Sequence, residues 1–166
     1  MEIVKIALEW AKGEVFSSKI FIFFGILFIT ATIGFWKLGK TETTKAFVYP
    51  TLVAGTLLLV AGLGFYFGNK SRLLNFETQY KTNPSAFVKS EITRTENTMN
   101  SYQNIAFKVF PMIIAIAALL IIFIDKPIWR GICITVIAFM VIILFIDSNA
   151  LTRIETYNKE LKLADK

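Results

Sequence analysis

Four apolar runs constrain this chain more than any other feature: Ile20 to Trp36, Ala46 to Phe67, Ile105 to Ile124 and Ile128 to Ile146. None contains an acidic residue, and Lys108 and Arg130 are their only cations. A helix of roughly 20 residues at about 1.5 Å rise spans the roughly 30 Å hydrocarbon core of a bilayer. The runs therefore predict an all-α, polytopic membrane protein with transmembrane helices at 20–36, 46–67, 105–124 and 128–146.

Hydrophobic residues make up 55% of the chain, too many for an ordinary soluble domain, while 18% charged residues is too many for a purely intramembrane bundle. The charges gather at the N-terminus, between the second and third runs and after the fourth. This distribution predicts one membrane domain over 1–166 with polar extensions. Histidine is absent and Cys133 is the single cysteine, so one chain offers neither a disulfide nor a Cys/His metal set. No nucleotide, metal or catalytic signature appears, and no cofactor is implied.

With four spans, the N-terminus, the central segment and the C-terminus share one side. Thirteen of the 18 cations lie on that side and five in the two short loops, which predicts a multi-pass protein of the cell membrane, bacterial inner-membrane in style, with both termini cytoplasmic. The net charge of +6 is explained by cations flanking the spans, so no nucleic-acid partner is implied. Residues 1–19 hold Ile3, Ile6, Ala7, Trp10 and Ala11 on one helical face, predicting an amphipathic helix lying in the membrane interface with Trp10 as its anchor.

The four spans are expected as two antiparallel hairpins. Residues 73–81 and 151–159 share leucine, glutamate, threonine and lysine at one fixed offset, which is consistent with an internal duplication or with the common look of helices leaving a membrane. Segment 69–104 is expected as a cytoplasmic helical hairpin broken near Thr82, with Asn83 and Pro84 as cap and first-turn residues. Val88, Ile92, Thr95, Met99, Tyr102, Ala106 and Val109 alternate spacings of four and three, a heptad seam that runs into the third span. Together with the C-terminal helix at 147–166 it predicts a three-helix cytoplasmic stalk built from extensions of the second, third and fourth spans. Pro111 is expected to bend the third span.

Candidate positions are few. Lys89, Glu91, Arg94 and Glu96 form a mixed-sign cluster on the stalk, a candidate partner surface or simply surface ion pairs. Thr30 with Gly34, Thr51 with Gly55, and Gly64 with Gly68 are spaced by four, as close helix contacts require. Trp10, Lys108, Trp129 and Arg130 are candidates for contact with lipid headgroups. These features predict a non-catalytic protein that associates with itself or another protein through its spans or stalk, as an accessory, assembly or immunity-type protein. The alternative is a subunit of a small oligomeric channel or transporter thinly lined by Thr30, Thr32, Thr51 and Thr56.

Overall fold

The structure, a computed structural model, describes Glu2 to Asp165; Met1 and Lys166, the ends of the expected first and last helices, lie outside the described residues. Every regular element among the described residues is helical. Helix α1 covers Glu2–Leu38, the one-turn α2 Glu42–Lys45, α3 Val48–Thr82, α4 Pro84–Ser101, α5 Phe110–Phe123 and α6 Pro127–Ala164, with a π-helical segment at Tyr102–Val109 between α4 and α5. Four stretches, at Glu2–Leu38, Glu42–Thr82, Pro84–Phe123 and Pro127–Ala164, are long and apolar enough to cross a membrane. Each also continues as helix into a polar half.

Local chemistry marks the turns. Thr41 Oγ1 accepts the Thr44 N–H at 3.2 Å, starting α2. Asn83, with φ −154° and ψ 93°, accepts the Ala86 N–H at 3.0 Å through Oδ1, and Pro84 opens α4 where its missing N–H costs no helical bond.

In the polar half, Ala7, Trp10 and Ala11 of α1, Phe76 of α3, Phe87 and Val88 of α4, and Ile154, Tyr157 and Leu161 of α6 form one buried cluster. Fully burying an aliphatic side chain of this size contributes about 1.5–3 kcal/mol, so this core is a substantial stabiliser in its own right. Residues 1–19 are therefore corrected from an interfacial helix to an integral bundle helix. Residues 2–19 belong to one continuous helix with the first apolar run, and their apolar face meets α3, α4 and α6. A face that would suit a headgroup layer equally suits a bundle groove, because both ask only for one apolar stripe. The bundle thus has four helices where three were expected.

The apolar half is held chiefly by α1 against α3. At Gly25 an added Cβ would stand 2.9 Å from the Leu59 backbone nitrogen, and at Gly62 it would stand 2.9 Å from the Ile22 nitrogen, so both glycines permit close backbone approach. Near the far end, Thr32 and Thr51 hydroxyls meet at 2.8 Å. Phe21, Leu58 and Ile146 join α1, α3 and α6 in a second buried cluster. By contrast α5 packs on α6 and not along α3, leaving Met112, Ile116, Leu119, Ile122 and Phe123 exposed.

Ahead of Pro111 the helix widens into π turns. The Phe110 N–H bonds to the Ile105 carbonyl, a five-residue reach. The wider π turns make room for the pyrrolidine ring, which would otherwise crowd the carbonyl four residues back. They also turn the heptad seam: Thr95 and Ala106 are buried, whereas Val109 is 37% exposed.

Replacing Gly62 by Leu should destabilise the detergent-solubilised protein by about 1–3 kcal/mol through overpacking. Gly64→Leu, facing open space, should change stability by less than about 0.5 kcal/mol. Thermal unfolding followed by circular dichroism checks this, and equal losses at the two positions would contradict the α1–α3 packing described.

Candidate functional site

Polar side chains converge where the apolar half meets the bundle. Glu14 and Tyr102 precede the first and third apolar runs, and Arg72 and Asp147 follow the second and fourth, so helix continuity brings them toward one level.

The charges of the upper layer are paired internally. Glu91 of α4 is buried at 6% exposure. It accepts Arg94 Nε at 2.8 Å and Nη2 at 2.7 Å, and the Tyr157 hydroxyl at 3.0 Å. The Arg94 guanidinium lies 4.3 Å from the centre of the Trp10 ring, which on its own account stacks on Tyr157 at 5.2 Å. Burial, reinforced by the Glu91 carboxylate, pushes the Tyr157 hydroxyl above its ordinary value, so it remains a donor. Asn158 donates to Thr95 Oγ1 at 2.7 Å, which explains a threonine in an otherwise apolar seam. A second ion pair joins α6 to α1: Arg153 reaches Glu14 Oε1 at 3.0 Å and Ser17 Oγ at 2.7 Å. It passes over Gly13, where a Cβ would stand 2.8 Å from its Cδ.

Beneath this layer lies a cavity of about 460 Å³ whose walls change character along its length. Glu14, Asn69, Arg72, Arg94, Tyr102 and Asp147 line its polar part; Phe21, Ala61, Phe65, Phe110 and Ile143 line the apolar part. Arg72 donates to Asn69 Oδ1 at 2.5 Å. Burial, with Arg94 nearby, lowers the Arg72 pKa, opposed by Glu91 and Glu14. Among the described residues no carboxylate stands within 4.0 Å of Arg72 and no cation within 4.0 Å of Asp147. Burial first, and then Glu14, push the Asp147 carboxyl up to about 7. Glu14 is likewise raised by burial, with Arg153 opposing. The Trp10 Nε1, at the cavity's bundle end, is a buried donor without a partner among the described residues.

The residues singled out from sequence fall in different places. Of the mixed-sign cluster, Glu91 and Arg94 are internal, Glu96 pairs with Lys162 of α6 at 2.7 Å, and only Lys89 is fully on the surface. The cluster is therefore corrected from a candidate partner surface to bundle structure: helix periodicity puts Glu91 on the same buried face as Val88 and Thr95. Trp10 is corrected from a headgroup anchor to a core residue. Lys108 is exposed and donates to Asn104 Oδ1 at 2.9 Å, while Trp129 is exposed and Arg130 pairs with Asp125 at 2.9 Å. Thr51 and Gly55 face α1, whereas Gly34, Gly64 and Gly68 face open space and Thr30 bonds the Ile26 carbonyl on an exposed face.

Asn69, Arg72 and Asp147 were missed from sequence; the signal available was a charge directly beside an apolar run, with Asn69 and Arg72 three residues apart. That they face one cavity depends on helix rotation, which no local signal encodes.

Because folding raises the pKa of both Asp147 and Glu14, the native state holds these protons more tightly than the unfolded chain does. Stability should be greatest in acid and fall as pH rises from about 4 through about 7. Asp147→Asn should flatten this slope and raise the apparent melting temperature above pH 7; melting curves between pH 5 and 8 test it, and an unchanged slope would exclude Asp147 as the cause.

Comparison of the chain with protein-family models, curated proteins and solved structures returns no match.

Proposed function

We propose that this chain is a non-catalytic, multi-pass protein of the cell membrane, with both termini cytoplasmic, that works by binding and association. The junction cavity is the seat of binding. The observation that carries this reading is the contrast within one polar layer: Glu91 with Arg94 and Glu14 with Arg153 are paired, while Arg72 and Asp147 border empty volume without counter-charges. Partly buried charges without counter-charges are unfavourable, and an occupant supplying both charges would relieve that cost.

In this reading the four-helix polar bundle is a cytoplasmic stalk, and the spans are two helix pairs, α1 with α3 and α5 with α6. The repeat echo at 73–81 and 151–159 gains some support from Phe76 and Ile154, which occupy corresponding positions and join one core. Protein association falls to the uncovered face of α3 around Gly64 and Gly68 rather than to the stalk charges. The channel alternative has less support: Thr32 and Thr51 satisfy each other in a buried contact, while Thr30 and Thr56 bond their own helices on exposed faces.

Two measurements test this. Reporter fusions at both ends should report the cytoplasmic side. Ala61→Phe places a ring in the cavity and should abolish retention of a bound amphiphile seen by native mass spectrometry of the gently solubilised protein; retention equal to the parent would remove the cavity from the proposal.

A further inference from the structure

The charges around the cavity specify more than a generic occupant. Arg72, Arg94 and Arg153 face Glu14, Glu91 and Asp147. Two pairs cancel, leaving one guanidinium and one carboxylate. An anionic ligand would satisfy Arg72 and leave Asp147 unpaired beside Glu14; a cationic ligand would do the reverse. A ligand carrying both charges satisfies both. Glu14 is near enough to influence Arg72 and Asp147 alike, and all three line the same cavity.

The chemistry of each group narrows the class. A guanidinium offers a planar fork of donors suited to phosphate. Asp147 forms no hydrogen bond among the described residues, and an ionised carboxylate is acceptor-only. It is suited to a primary ammonium, which donates three hydrogen bonds, better than to a quaternary ammonium, which donates none and is recognised by aromatic faces. A headgroup carrying an added carboxylate would meet Asp147 and Glu14 with like charge.

The rest of the cavity identifies the source. Its wall continues from Arg72 and Asp147 onto Phe21, Ala61, Phe65, Phe110 and Ile143. The side between α3 and α5 is not closed by helix packing, because α5 rests on α6. A polar end and an apolar end, opening sideways at the limit of the apolar runs, fit an amphiphile entering from the membrane.

We propose that the junction cavity binds a phospholipid whose headgroup joins a phosphate to a primary ammonium, the phosphate at Arg72 and the ammonium at Asp147, with its chains leaving past Phe65 and Phe110. This rests on the cavity being a binding site, and deepens that reading by naming its ligand.

The test uses the full chain in nanodiscs of phosphatidylethanolamine, phosphatidylcholine or phosphatidylglycerol, transferred to detergent, with retained lipid counted by native mass spectrometry. Soluble O-phosphoethanolamine is the arm that separates a free headgroup from a lipid. Wild type and the surface control Lys12→Gln should retain phosphatidylethanolamine preferentially. Arg72→Gln and Asp147→Asn should each weaken retention about tenfold or more, and Arg72→Lys should restore part of it, which a folding defect at Arg72 could not explain. Equal or tighter retention of phosphatidylglycerol or phosphatidylcholine, with Ala61→Phe still abolishing it, would overturn the headgroup assignment and leave the cavity reading standing. O-phosphoethanolamine competing as well as the lipid would overturn the membrane source. Retention unaffected by Ala61→Phe, Arg72→Gln and Asp147→Asn alike would overturn both readings.

Discussion

A backbone amide in hydrocarbon has no water to turn to, and the long apolar helices of this molecule meet the requirement that a bilayer crossing would impose. Each apolar run satisfies its N–H and C=O groups by remaining helical throughout. In this chain the helices do not stop where the apolar residues stop: α1, α3 and α6 run on without a break, and α4 reaches α5 through π turns. The rotation and position of every bundle helix are consequently tied to its apolar half. The close α1–α3 approach at Gly25 and Gly62 also sets where Trp10 and Phe76 meet.

That coupling explains the uneven treatment of charge. In the bundle, Glu91 and Arg94 lie one turn apart on α4, so their pairing needs no tertiary accident, and Tyr157 and Trp10 complete their surroundings. At the junction the charges come from different helices, and their separation is dictated by packing elsewhere. Glu14 and Arg153 are brought within reach; Arg72 and Asp147 are left facing a common volume. Partial desolvation without pairing is unfavourable for stability, and such groups are commonly maintained where a ligand uses them.

Legibility differed element by element for physical reasons. The four apolar runs and the Asn83–Pro84 start of α4 are encoded in contiguous residues, through bilayer-length hydrophobicity and capping chemistry. Pro111 was legible as a disturbance, but its accommodation by π turns depends on how far the preceding helix can widen against its neighbours. Trp10 was misread because an aromatic on an apolar stripe has the same pattern beside headgroups and inside a bundle. Spacings of four among small residues recur on several faces of a helix, so the pattern could not distinguish Gly55, which meets α1, from Gly64 and Gly68, where an added Cβ would meet nothing within 4 Å among the described residues.

The chain's own order of residues determined the helical class, the number of apolar crossings it can make and the level at which its charges cluster, because these follow from hydrophobicity and rise per residue alone. Only tertiary packing decided which charges would be paired, that residues 2–19 would complete the bundle, and that Arg72 and Asp147 would share a cavity. Those outcomes depend on the relative rotation of separate helices. Rotation is set by contacts between residues distant in sequence, and a period of 3.6 residues leaves it open.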